Sequence, residues 1–261
     1  MHHRGQALSV SRMDTSSASA ATLPHVRALR YVGADVLDVL HRVSSNELAQ
    51  LPAGEARATL FLDFRGRLLH RAMVAHDADG AVWLLSDSPG EALAAFVDAR
   101  VFREDVKLAG GPVDVPAAWT AAAIAAFGAD ERARIAAGLP RHGHEVAEAF
   151  NAYEAGLAAE VHLAKGCYTG QEALQRLVTY DSVRRERVRV SGAGAPPAPQ
   201  DVLAAGETAG RLTSVVATEH GWVGLAIVRV VALETAAPLV LADGTALAAP
   251  YRFPAARPLG R

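Results

Sequence analysis

Apolar and polar positions alternate along this chain with two different periods, and the switches between them outline its elements. Val26–Tyr31 suits a short strand closed by Gly33. Val36, Val39, Leu40 and Val43 then recur at i, i+3, i+4 and i+7, which predicts an amphipathic helix up to Ser44–Ser45–Asn46. Ala58, Leu60 and Leu62 alternate with Thr59, Phe61 and Asp63, and Phe64–Arg67 reads as a hairpin turn into a second strand, Leu68–Ala75. Asp77–Gly80 is a further turn before the strand Ala81–Ser86. Asp87–Ser88–Pro89 opens a helix, as a cap followed by an early proline, with Leu93, Phe96, Val97 and Val101 as its apolar stripe. Strand, helix, three strands and helix make an α+β pattern dominated by antiparallel pairing.

The clearest linker is Ser191–Gln200, whose Gly192, Gly194, Pro196, Pro197 and Pro199 are incompatible with a helix or a central strand. Beyond it, Gly210–Val216, Trp222–Val231, Leu239–Leu241 and Thr245–Ala248 read as short strands, punctuated by Gly206, Gly221 and Asp243–Gly244. That spacing suggests a small barrel or sandwich. Met1–Thr22 is polar, Ser-rich at Ser16–Ser19, and lacks the apolar run of a secretory signal. The expected organisation is a disordered tail over 1–24, an α+β domain over 25–190 and a barrel over 200–261.

Composition narrows the function classes. The 261 residues hold 26 Lys+Arg against 28 Asp+Glu, a net charge of −2, without the broad positive field of a general nucleic-acid binder. No apolar run approaches the roughly 18 residues of a membrane span. The single cysteine, Cys167, excludes an intramolecular disulfide and a Cys-pair zinc site within one chain, and favours a reducing, cytoplasmic setting. Neither glycine-rich nucleotide fingerprint occurs, and His142 and His144, in an expected solvent-exposed loop, do not specify a metal.

The informative stretch is Lys165–Gly166–Cys167–Tyr168–Thr169–Gly170–Gln171–Glu172. Thr169 and Glu172 have capping-box spacing, so Thr169 is expected to cap a helix whose buried stripe is Leu174, Leu177 and Val178. Cys167 then precedes the cap in a turn flexible at Gly166 and Gly170, where free amides, the helix dipole and Lys165 favour a thiolate or a bound anion. On spacing alone, a small buried cysteine beside an ordinary helix start stands as the alternative.

Those eight residues match, position for position, the signature of the YgfZ family of folate-binding proteins, relatives of the T-protein (aminomethyltransferase) of the glycine cleavage system. Three further stretches resemble the family: Val32–Asp35 with Ser45–Asn46, Arg134–Pro140, and Gly210–Ser214. The resemblance implies a T-protein-like α+β fold, with ferredoxin-like antiparallel portions around a central channel and a small C-terminal β-barrel. It implies a tetrahydrofolate-binding accessory protein that supports assembly or repair of iron–sulfur enzymes, with those proteins or their assembly machinery as partners. Cys167 would be a reactive thiol at the channel mouth, with Lys165, Gly166, Tyr168, Gly170, Gln171 and Glu172 around the ligand. Arg134 matches the family's arginine and would face a folate carboxylate. Asn46 would meet a pterin edge, or form a turn.

The alternative is a tetrahydrofolate-dependent aminomethyl or one-carbon transferase. T-proteins carry an acidic pair after the first hairpin's glycine, where this chain has His70–Arg71, and Ala136 and Ala152 replace the family's Glu and Pro while Glu154 is kept. A third reading is an interaction module built on Arg184–Val190, whose alternating Arg187 and Arg189 suggest a strand with a solvated charged face.

Overall fold

A computed structural model describes residues 9–11, 23–235 and 237–260. The expected tail lies largely outside them. Ser9–Ser11 (β1) is described and pairs with the strand Glu55–Leu62 (β3).

Alternation is carried through the first sheet. Arg27–Val32 (β2), β3, Leu68–His76 (β4), Val82–Ser86 (β5) and Lys107–Val113 (β6) join β1 in the order β1-β3-β4-β5-β2-β6, every pair antiparallel. Leu29, Tyr31, Phe61, Ala72, Val74 and Leu84 point to one face. There they meet Val36, Val39, Leu40 and Val43 of α1 (Val36–Val43) and Leu93, Ala94 and Val97 of α2 (Gly90–Asp98). Ala28, Ala58, Met73, Ala75 and Leu85 point to the other face, against Trp119, Ala122, Ala123, Ala126 and Phe127, most of them on α3 (Thr120–Phe127). The sheet is thus covered on both sides. Pro89 occupies the N-cap position of α2 without a side-chain cap. The expected capping residues serve elsewhere: Asp87 Oδ2 accepts the His142 amide at 2.9 Å and Ser88 Oγ meets His142 Nδ1 at 3.1 Å.

Among the described residues, no strand lies between β6 and Arg185–Gly192 (β7). That stretch holds α3, α4 (Glu131–Ala137), α5 (Gln171–Thr179) and irregular backbone, packed as a third core of Val146, Phe150, Leu157, Val161, Tyr168 and Leu174 on Leu60, Leu62 and Leu68. The second sheet adds Asp201–Ala204 (β8), Glu207–Thr218 (β9), Gly221–Arg229 (β10), Leu239–Leu241 (β11) and Tyr251–Arg252 (β12), in the order β11-β8-β9-β10-β7-β12. It encloses its own core of Val188, Val190, Leu212, Trp222, Ala226 and Val228, with a register shift at Leu225/Ala226 that bends it. β7 pairs along its whole length with β10, so the division expected near Ser191 falls inside this sheet, and Ser191–Gln200 runs into a connection between β7 and β8. Hydrogen bonding, which composition does not report, ties Arg185–Gly192 to the barrel. The expected strand Thr245–Ala248 is reduced to one bridge, Val240 to Ala246.

Arg71 and Glu160 weld the irregular stretch to the first sheet. Arg71 is 1% exposed, donates twice to Glu160 at 2.6 and 3.0 Å and once to Ala126 O at 2.6 Å, and lies 5.1 Å over the Phe127 ring. Arg71→Leu, which strands the buried carboxylate of Glu160, is expected to cost about 3–5 kcal/mol in urea unfolding, and adding Glu160→Leu to recover most of it. Equal losses in the single and double variants would rule out the pair as the origin of the effect.

Candidate functional site

A concavity of about 1010 Å³ opens between the irregular stretch, the end of α5, β7 and the C-terminal residues 252–258. That is at the upper end of the size of small-molecule sites. Its lining holds six arginines (Arg184, Arg185, Arg187, Arg229, Arg252, Arg257) against Asp181, Glu186 and Glu234, with Tyr153 and Phe253 as aromatic walls. Some of these cations are already matched. Arg185 grips Glu154 at 2.8 and 3.0 Å, Arg252 pairs with Glu186, and Arg229 donates to Thr208 O. Arg187 is different. It donates to Ala155 O at 2.7 Å, lies 4.7 Å over the Phe253 ring, and leaves its Nε buried without a partner. A side chain at position 156 would collide with its guanidinium at 2.7 Å, so Gly156 is what admits it. Burial, then the nearby Arg71 and Arg134, pull its pKa down to about 10 despite Glu145 and Glu160. A half-buried, incompletely paired guanidinium in a net-positive cleft is suited to receive an anionic group.

The expected charged face of β7 is therefore partly covered rather than fully solvated. Arg185 lies over Phe150, and Arg189 over Tyr251 while donating to Ala136 O at 2.8 Å. The covering rings at 251 and 253 are some sixty residues away, outside any local pattern.

The Lys165–Glu172 segment sits at the other end of α5. Gly170, at φ +83°, is its N-cap, and a Cβ there would lie 2.6 Å from Asp63 O. The loop packs on the β3–β4 hairpin, and the glycine takes the position expected for Thr169, whose side chain makes no cap. Glu172 does not reach back; it pairs with Arg176 at 2.6 Å on the surface. Gln171 Nε2 donates to Leu163 O at 2.7 Å. Cys167 is exposed, Gly166 faces open space, and neither they nor Lys165 line the cavity. Lys165 Nζ donates to His41 O and lies 4.9 Å over the Tyr168 ring. His41 in turn pairs with Glu47 at 2.9 Å. Burial pulls Lys165 down to about 8, against the opposing pull of Glu47 and Cys167. Tyr168 is 5% exposed, with its hydroxyl buried and unpartnered, and burial then Tyr153 push its pKa up.

Two expected ligand contacts are internal. All three Arg134 guanidinium nitrogens are engaged, by Glu131 at 2.6 and 2.9 Å, by Leu139 O at 2.6 Å and by Glu145 at 3.2 Å, so this arginine caps its own helix and neutralises Glu145. Asn46 is 2% exposed and forms the turn: Nδ2 donates to Ala58 O, and Oδ1 accepts from the Glu47 amide. His142 and His144 are half-buried rather than exposed. His142 stacks on His70 at 5.6 Å, and His144 Nδ1 lies 2.7 Å from Thr213 O. Among the described residues, no three His, Cys, Asp or Glu side chains are disposed to hold a metal, and no helix is long and apolar enough to cross a membrane.

Two titrations test this electrostatic picture. The chain has two lysines, Lys107 and Lys165. After reductive ¹³C-methylation, the Lys165 resonance is expected to titrate near 8, and a midpoint in the ordinary range near ~10.4 would refute its burial. For His70, burial, then His142 and Arg100, pull the pKa down to about 4. The unfolded chain, titrating near ~6.5, takes up that proton first, so the stability tied to His70 is complete above that pH and lost on acidification toward about 4. His70→Phe should flatten that loss in urea midpoints measured across the window. An unchanged slope would assign it to other groups.

Residues 184–254 match the family model described as the CAF17 C-terminal β-barrel domain. Over 92 residues the chain is 38% identical to a putative chloroplastic transferase of Arabidopsis thaliana, covering 35% of this chain and 21% of the relative. Over 94 residues it is 40% identical to an aminomethyltransferase of Moorella thermoacetica, covering 34% of this chain and 25% of the relative. These matches thus span about a fifth to a quarter of the relatives' own length. The crystal structure of the glycine cleavage system aminomethyltransferase T from Bartonella henselae superposes with a TM-score of 0.68 over 89% of this chain and 87% of that one, at 16% identity. The chain therefore has the aminomethyltransferase fold, ending in a segment similar to the CAF17 C-terminal β-barrel domain.

Proposed function

We propose that this protein binds tetrahydrofolate in the arginine-lined cavity and acts as an accessory factor for the assembly or repair of iron–sulfur enzymes, with Cys167 as its reactive thiol. The observation that carries the folate reading is Arg187, a half-buried arginine with a buried, unpartnered Nε at the wall of a cleft large enough for a folate. A folate carries carboxylates on a flexible tail and a flat heterocycle. Arg187, with Arg184 and Arg257, would hold the carboxylates, and Tyr153 and Phe253 would flank the ring. When bound, tetrahydrofolate supplies a carrier for one-carbon units. The chain's own contribution is to bind and orient it. The relatives' fold and the intact Lys165–Glu172 segment support this reading.

An aminomethyl transfer finds less support. At the position of the T-proteins' acidic pair, Arg71 is wholly engaged by Glu160, and His70 stacks on His142 with its Nδ1 buried and unpartnered. Neither side chain offers a carboxylate to a folate-bound amine. Iron–sulfur partners and a cytoplasmic setting belong to the proposal, as does the thiol's role.

Calorimetric titration with tetrahydrofolate is the direct test. Wild type and Cys167→Ala should bind alike, since Cys167 lies outside the cavity, and Arg187→Gln should bind about tenfold or more weakly, one charged hydrogen bond being worth ~1.5–3 kcal/mol. No binding by the wild type would refute the folate reading. A cellular iron–sulfur enzyme assay that Cys167→Ser supports at full activity would refute the thiol role alone.

A further inference from the structure

Residues 253–260 return from the second sheet along the cavity to the irregular stretch ahead of α5. At the near end Phe253 packs over Gly138, beneath the guanidinium of Arg187, with Tyr251 edge-on at 5.2 Å. At the far end Leu259 pairs alongside His162. Its N–H donates to Val161 O at 2.7 Å, and the Leu163 N–H donates to Leu259 O at 2.9 Å. Between these anchors residues 253–258 line the cavity, and 254–258 make no backbone hydrogen bond among the described residues. Pro254 and Pro258 stiffen the span. The anchored stretch, Val161–Leu163, leads straight into Lys165–Tyr168, and Leu163 O is also the acceptor for Gln171 Nε2 at the start of α5.

We propose that residues 253–260 form a latch that couples occupancy of the cavity to the position of the Lys165–Tyr168 segment. The inference rests on the folate reading only for the ligand's identity. The strap touches the cavity at its middle and the thiol segment at its end. Any ligand that contacts residues 253–258 binds the docked and undocked strap with different affinity and shifts that equilibrium. Undocking removes both backbone hydrogen bonds that hold Val161–Leu163 to the strap. Docking depends on Gly260, whose φ is +69° and where a Cβ would lie 2.6 Å from the His162 ring, so a branched side chain there prises the anchor open without entering the cavity.

The test compares wild type with Leu259→Pro, which deletes the N–H to Val161, and with Gly260→Val. Amide hydrogen exchange is followed across residues 161–168, and the Lys165 titration is read in parallel. Losing one of two anchoring hydrogen bonds is expected to raise exchange about tenfold at Leu163 and Ala164, whose N–H groups donate to Leu259 O and His162 Nδ1, and to move the Lys165 midpoint upward, while both sheets keep their protection. Saturating tetrahydrofolate should slow exchange over the same residues in wild type and not in the variants. Faster exchange at Leu163 alone, with 164–168 and Lys165 unchanged, overturns the coupling. So does a wild type that binds folate without a change over 161–168. If either variant loses protection across the sheets, the other decides. If both do, the unliganded wild type decides: after correction for intrinsic rates, Leu163 and Ala164 must share one opening free energy, and unrelated values overturn the latch. Absence of folate binding in calorimetry refutes the ligand and leaves the variant exchange rates to judge the strap.

Discussion

Three carboxylates buried in the least regular part of the chain decide how everything else is placed. Glu145, Glu154 and Glu160 are each at most 5% exposed and lie in a stretch with little repeating structure. An unpaired buried carboxylate is too costly to retain. Each is met by an arginine from a different element: Glu145 by Arg134 of α4, Glu154 by Arg185 of β7, and Glu160 by Arg71 of β4. Glu145 also accepts from Thr213 and Ser214 of β9. Satisfying all three together requires the first sheet, the helical stretch and the second sheet to be in one relative position. The cavity is the space that this position leaves.

The same requirement sorts the arginines by role. Arg71, Arg134 and Arg185 are bound by internal carboxylates and have little left for a ligand. Arg187 lies two residues beyond Arg185 on the same face of β7, yet the chain brings it a carbonyl and an aromatic ring instead of a carboxylate. That asymmetry between neighbours separates a structural cation from a receptive one. It also explains why an arginine in place of a T-protein carboxylate is tolerated at position 71, since Glu160 restores neutrality there.

Local pattern carried most of the first sheet. The apolar periods that predicted α1 and β2 to β5 are those that pack, because the alternate residues of each strand and the stripe of α1 meet cores on the faces they predict. What the sequence concealed depended on partners far away. Arg134 has the residue type of a ligand contact, and only Glu131, Leu139 O and Glu145 together reveal that its donors are filled. The Arg187–Arg189 alternation is what a solvated strand also shows, until Tyr251 and Phe253 cover it. Thr169 and Glu172 have the spacing of a capping box, but close packing on Asp63 and Gly66 demands a glycine with positive φ at the cap, and the capping position moves to Gly170. The pairing of β7 is hidden for the same reason: its partner is β10, some thirty residues on.

The most consequential separation in the molecule is between the cavity and the thiol. Leu177 and Val178 line the cavity, while Cys167 lies beyond the opposite end of α5, and nine helical residues span roughly 13 Å. A ligand in the cavity and a reagent at Cys167 therefore occupy different places, and direct chemistry between them is not built into the resting geometry. If both serve one function, information has to pass between them. Helix α5 is a poor carrier, because its N-terminus is pinned to the hairpin at Gly66 and Gly170, and Leu174 is buried against Gly66. Residues 254–258, held at two anchors and free of backbone hydrogen bonds between them, are the less constrained of the two paths. The geometry therefore places an arginine-lined cleft at one end of a pinned helix and an exposed thiol at the other, with the strap 253–260 touching the surroundings of both.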